Sequence, residues 1–166
     1  MSSDKENKQF LSVLENNKGI IYKVANSYCK NVDDRDDLIQ EITINLWKSW
    51  GKYNDKFKLS TWMYKIALNV AISFYRKTYR RDSFNQENYQ ESVYIDDGTD
   101  IALSEDIKEL YHYIAKLDEL NKALILLYLD QYSYEDIAST LGISKTNVAT
   151  KISRIKKQLK HKFQLK

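Results

Sequence analysis

Thr146, Thr150, the pair Ser153 and Arg154, and Lys157 recur at intervals of three or four residues near the C-terminus. At about 100° per residue they share one side of a helix. Val148, Ile152, Ile155 and Leu159 fall on the other side. Cations on such a front meet phosphates, and short polar side chains reach base edges in a major groove. From Ile137 to the C-terminus there are eight Lys or Arg residues and no Asp or Glu. Basic amphipathic helices are common as solvated faces, so charge alone decides little. The residues just before this helix decide more. Ser133 can cap a short helix over Tyr134–Thr140, with Asp136 at the third helical position. Leu141, Gly142 and Ile143 make a turn in which Gly142 is free to take a positive φ. Ser144 can cap the longer helix that follows. Two caps, a glycine turn and opposed faces read as a helix-turn-helix, and DNA binding is the expected chemistry.

Two other clusters carry charge. Five acids lie between Asp33 and Glu41. Paired carboxylates can hold Mg²⁺ together with a phosphate, but no glycine-rich phosphate loop or second acidic motif accompanies them. A helix start and an exposed acidic face explain them better, because Asp in the first turn offsets the macrodipole. Such a face is a natural dock for a basic protein partner. Between Lys56 and Arg81 the balance inverts, with seven basic residues and no acid. Phe57, Trp62, Tyr64, Phe74, Tyr75 and Tyr79 are interleaved with them. Cations that track a backbone beside rings that stack on bases make a single-strand surface. The plainer reading assigns Phe74 and part of Trp62 to the core. His112 and His161 stand in unrelated contexts. No nucleophile or metal cluster accompanies them, so neither catalysis, a metal nor a cofactor is expected.

The elements that position these clusters are helical. There is no proline and there are four glycines among 166 residues, and the apolar spacing follows the helical period. Helices are expected from about Gln9 to Lys30 with a break near Asn16–Gly19, and from the Asp run to Trp50 with Gly51 as the stop. In the latter, Leu38, Ile39, Ile42, Leu46 and Trp50 face inward. A further helix is capped by Ser60 or Thr61, with Ile66, Val70 and Phe74 as its stripe. Others run through Leu110, Ile114 and Leu117 and through Leu120–Tyr128. Between them, residues 82–107 hold eight acids and no base and lose apolar periodicity, as a flexible linker does. The fold class is therefore all-α: two small helical domains, 9–81 and 104–166, joined by an acidic linker at 82–103. Cys29, beside Val24, Ala25 and Tyr28, reads as a small buried residue. A lone cysteine, a polar N-terminus and no long apolar run point to a cytoplasmic protein without membrane insertion.

These stretches resemble a known family. Asp36-Asp37-Leu38-Ile39-Gln40-Glu41, Leu46-Trp47 and Ser60-Thr61-Trp62-Met63-Tyr64-Lys65-Ile66-Ala67-Leu68-Asn69 resemble region 2 of a bacterial sigma factor. Ser133-Tyr134-Glu135-Asp136-Ile137-Ala138, Leu141-Gly142-Ile143-Ser144 and Asn147-Val148 resemble region 4. Their order and spacing resemble the extracytoplasmic-function group of the sigma-70 family. The resemblance implies a non-enzymatic factor that binds core RNA polymerase and directs promoter recognition, melting and transcription initiation. It implies that Asp37, Leu38, Gln40 and Glu41 dock on the β′ clamp helices, with the β flap as a further polymerase contact. Lys58, Ser60, Thr61, Trp62, Lys65, Asn69 and Arg76 would recognise the minus-ten element and hold a flipped base, offsetting part of the unstacking energy. Lys145, Thr146, Asn147, Thr150, Lys151, Ser153 and Arg154 would read the minus-thirty-five element. An anti-sigma factor is implied as a partner, and the acidic linker resembles the segment that threads toward the RNA exit path. Ala149 and Thr150 stand where arginine and serine are common in the family. The rival reading is a helix-turn-helix regulator acting without polymerase docking. It accounts for residues 133–166 but not for the acidic face or the basic-aromatic stretch. A nuclease or recombinase, or a sigma-like factor of a mobile element, are further readings.

Overall fold

A computed structural model describes residues 1–29, 31–78, 93–94, 100–101 and 104–164. Their helices, in order, are α1 (Ser2–Asn16), α2 (Lys18–Tyr28), α3 (Val32–Ser49), α4 (Leu59–Thr78), α5 (Glu105–Ala115), α6 (Glu119–Leu129), α7 (Tyr134–Leu141) and α8 (Lys145–Gln164). Two short strands, β1 (Val93–Tyr94) and β2 (Asp100–Ile101), pair antiparallel, with Val93 opposite Ile101. The remainder of the expected linker, and Tyr79, Arg80 and Arg81, lie outside the described residues. The chain divides into two units, Met1–Ala115 and Lys116–Lys166.

In the first unit α1 starts earlier than the apolar pattern indicated, and the expected break narrows to Asn17. Its side-chain amide donates to the Val13 carbonyl at 2.8 Å, which ends α1 locally. Asn31 caps α3, its Oδ1 accepting from the Asp34 N–H at 2.8 Å. Asp33 and Asp34 occupy the first turn, where carboxylates suit the helix dipole. The C-terminus of α3 departs from expectation. The chain tightens into a 3-10 turn over Trp50–Lys52, and Gly51 sits inside it. Among the described residues, only Gln131 and Gly142 have positive φ.

α2, α3 and α4 pack on one another. Val24, Ala25 and Tyr28 meet Leu38, Ile42 and Leu46 in this core, and Cys29 is buried with them. Burying each large aliphatic side chain contributes about 1.5–3 kcal/mol. The buried face of α4 is not the expected stripe. Met63, Tyr64, Ala67, Leu68 and Ala71 face the core, whereas Ile66, Val70 and Phe74 are half-buried. Two alanines allow close helix approach, so the contact face follows them rather than the larger residues. α4 also begins two residues early: the Lys58 carbonyl accepts from Trp62 N–H at 3.1 Å. Ser60 and Thr61 thus lie within the first turn rather than capping it. α5 packs against α2 through a face that includes buried Ile114, and Leu117 falls beyond its end.

In the second unit Asp118 caps α6, accepting from Asn121 N–H at 2.8 Å. Ala123 to Leu127 of α6 are all buried, and α7 and α8 pack against this helix. Ile137, Val148, Ile152 and Ile155 complete that core.

Candidate functional site

The turn between α7 and α8 is set by three local devices. Ser133 Oγ accepts from Asp136 N–H at 3.1 Å, satisfying an otherwise orphan donor of α7. Gly142 takes φ +70°. Its N–H and that of Ile143 both reach the Ala138 carbonyl, at 2.9 and 3.1 Å, closing the helix as a left-handed C-terminal residue does. Ser144 Oγ then accepts from Asn147 N–H at 3.0 Å and starts α8. Val148, Ile152 and Ile155 hold α8 down, so its other side faces outward. Lys145, Thr146, Asn147, Thr150, Ser153 and Arg154 are exposed. Lys151 is the exception: it is half-buried and lies about 160° round the helix from Ser153. The Thr150 hydroxyl donates to the Thr146 carbonyl at 3.0 Å, leaving its lone pairs to accept from a ligand.

A second polar stripe lies on α4. Lys58, Trp62, Lys65, Asn69 and Arg76 follow at intervals of 4, 3, 4 and 7, which places them within about 60° of arc. Lys58, Lys65, Asn69 and Arg76 are exposed. Ser60 and Thr61 are not brought to this stripe; both are half-buried in the first turn. Trp62 is not a free platform either. Its ring lies 6.0 Å from Trp50 and 5.1 Å from Tyr53, and Phe10 joins the cluster 5.7 Å from Trp50. The turn before α4 is fastened to the same cluster. The Tyr53 hydroxyl donates to the Phe57 carbonyl at 2.8 Å, Phe57 N–H donates to Asn54 O at 3.1 Å, and Lys56 N–H donates to Asn54 Oδ1 at 3.1 Å. Phe57 is 65% exposed at the tip. Helical periodicity gives no sign of the Tyr53 contact, because it lies within the loop that follows the 3-10 turn.

On α3, Asp37, Gln40 and Glu41 are exposed. Leu38 is 0% exposed and belongs to the core, so it positions the acidic face and cannot touch a partner itself. The same exposed side continues into Ile44 and Trp47, 49% and 45% exposed. With Phe10, Leu11 and Leu14 of α1 these two line an apolar groove of about 400 Å³. The signal was present in the spacing: 37, 40/41, 44 and 47 repeat at three and four residues. Among the described residues no helix is long and apolar enough to cross a membrane, and no group of three or more His, Cys, Asp or Glu side chains could hold a metal ion.

An exposed acidic face, a basic stripe beside an aromatic cluster and a capped helix-turn-helix place the chain in the class of helical DNA-binding proteins. The family description "Sigma-70 region 2" matches residues 13–81, and "Sigma-70, region 4" matches residues 107–159. The chain is 31% identical over 145 residues to the RNA polymerase sigma factor HrpL of Pseudomonas syringae pv. syringae, covering 81% of this chain and 76% of that protein. It is 28% identical over 156 residues to the ECF RNA polymerase sigma-E factor of Escherichia coli (strain K12), covering 86% and 82%. Its fold matches the sigma factor RpoE crystallised with the anti-sigma factor NepR from Bartonella quintana, with TM-score 0.69, 21% identity, and 95% and 96% of the two chains covered. It also matches CnrH in complex with the cytosolic domain of CnrY, with TM-score 0.65, 18% identity, and 96% and 90% covered. The chain belongs to the extracytoplasmic-function group of the sigma-70 family. It is a sigma factor, a transcription initiation factor that works with core RNA polymerase at promoter DNA.

Proposed function

We propose that the three surfaces divide the work of initiation among named residues. Asp37, Gln40 and Glu41 dock α3 on the β′ clamp helices of the polymerase. Lys58, Trp62, Lys65, Asn69 and Arg76 engage the minus-ten element, with Ser60 and Thr61 shaping the start of α4 and the turn at Phe57 beside a flipped base. Thr146, Asn147, Thr150, Ser153 and Arg154 read the minus-thirty-five element, and Lys145 meets its backbone. Residues 9–81 act as region 2, 82–103 as the linker and 104–166 as region 4. The factor works without chemistry of its own, in the cytoplasm, under an anti-sigma factor that covers these surfaces.

The observation that carries this reading is the alignment of five polar or aromatic positions along one side of α4, opposite a core-facing side built from Met63, Ala67 and Ala71. A regulator acting alone has no use for that stripe or for the acidic face of α3. The test is run-off transcription with purified core polymerase and a promoter taken from upstream of the protein's own gene. Gln40→Ala/Glu41→Lys is expected to reduce the transcript about 30-fold, the loss of an interface hot spot worth about 2 kcal/mol. Asn69→Ala should cost about tenfold and act on opening rather than on polymerase binding. Tight sequence-specific duplex binding by the chain alone, with no polymerase-dependent transcript, would sink the proposal.

A further inference from the structure

Tyr53 belongs to none of the three surfaces, yet the turn before α4 closes on it. Its ring stacks on Trp50, with centroids 5.8 Å apart and planes 12° apart, and it meets Trp62 at 5.1 Å. The residue is half-buried, so these neighbours fix the direction of its ring. The hydroxyl reaches past the cluster and donates to the Phe57 carbonyl at 2.8 Å.

Residues 54–58 are all exposed, so hydrogen bonds rather than burial order them. The Asn54 carbonyl accepts from Phe57 N–H at 3.1 Å, and Asn54 Oδ1 accepts from Lys56 N–H at 3.1 Å, as in an Asx turn. Those two bonds shape the turn from within; the Tyr53 bond ties it to the aromatic cluster. Phe57, 65% exposed, stands between Lys56 and Lys58, with Asp55 as the one acid of the turn. The Lys58 carbonyl then accepts from Trp62 N–H, and α4 begins. A ring on a loose loop loses conformational freedom when it stacks on a base, and that loss subtracts from affinity. A ring on a turn already fastened forfeits less. Phenylalanine at position 53 would pack as tyrosine does but has no hydroxyl to donate.

We propose that Tyr53 is a positioning residue for strand capture. Its hydroxyl, aimed by the Trp50 and Trp62 rings, orders residues 54–58 before DNA arrives and presents the Phe57 ring to an unpaired base of the minus-ten element. This rests on the reading of that turn as lying beside a flipped base. Tyr53 acts through the Phe57 backbone and touches no DNA itself.

The test uses holoenzyme assembled from core polymerase and the full chain, with a forked promoter probe whose minus-ten non-template strand is unpaired. Phe57→Ala is expected to weaken binding of this probe about tenfold, the scale of one stacked base. Tyr53→Phe should weaken it about fivefold, the scale of one net hydrogen bond. Neither variant should change binding of a duplex probe carrying the minus-thirty-five element alone. With Phe57 already replaced by alanine, loss of the Tyr53 hydroxyl should cost less than about twofold, because no ring remains to present. Asn54→Ala, which loosens the same turn from its other end, should behave as Tyr53→Phe does. Losses that multiply in the double variant, or equal losses on the duplex probe, would mean that the hydroxyl supports the fold alone and would overturn the proposal. Wild-type binding by Tyr53→Phe would overturn it as well. Wild-type binding by Phe57→Ala would instead remove the turn from strand capture, and the role of Tyr53 with it.

Discussion

The two helices proposed to meet DNA are built in opposite ways. The start and angle of α8 are set by its neighbours in sequence, and its back packs on α6. Ser133, Gly142 and Ser144 set its angle and start, and its three buried residues lie on its own back. α4 is positioned by side chains from outside its own helix. Phe10 of α1, Trp50 after α3 and Tyr53 of the following loop gather about Trp62, and the core beneath comes from α2 and α3. A helix that reads intact duplex needs only a rigid placement. A surface that works on strands as they separate needs an ordered turn and aromatic support, which one stretch of chain cannot supply.

That contrast can be broken most forcefully in the cores. Leu38→Ala should destabilise the first unit by about 2–5 kcal/mol, the cost of a removed side chain plus a cavity. Trp47, Trp50 and Trp62 all lie in that unit, so tryptophan fluorescence in urea reads it selectively. Ile152→Ala should cost a similar amount in the second unit, visible by far-UV circular dichroism and silent in the tryptophan signal. Equal shifts of the tryptophan midpoint by both variants would mean that the units unfold as one, and the contrast would fail.

A smaller effect is expected at the turn. Gly142→Ala has open space around the new methyl group, but φ +70° costs an L-residue about 1–2 kcal/mol. Gly51→Ala, inside a 3-10 turn and also in open space, should change stability by less. Thermal melts of the two variants measure the difference.

The caps give the finest comparison. Ser144→Ala and Asn31→Ala each remove a side-chain acceptor from a helix start, worth about 1 kcal/mol. The Ser144 variant should also misplace the recognition helix and lower holoenzyme affinity for the minus-thirty-five element. The Asn31 variant should leave that affinity unchanged. Equal loss of DNA binding in both would show that α8 is not set locally.

The helix-turn-helix was legible because each of its signals is short-range. A cap, a left-handed glycine and an apolar back are properties of residues within four or five positions of one another. The acidic face of α3 was legible for the same reason. The face of α4 was not. Periodicity favoured Ile66, Val70 and Phe74, the bulkier stripe, whereas the packed helix turns Ala67 and Ala71 inward. Leu38 carried a similar ambiguity, since a residue within a docking motif can belong to the core that supports it.

By itself the sequence determined the helices, the breaks at Asn17 and Gly142, the segregation of charge and the family to which the chain belongs. These follow from local sterics, local hydrogen bonds and the helical period. Only the tertiary structure decided which face of α4 is buried, that Trp62 leans on Trp50 and Tyr53, and that Leu38 is inaccessible. Those depend on how closely helices approach, and that distance is set by small residues and by shape across the core, which spacing along one chain does not encode.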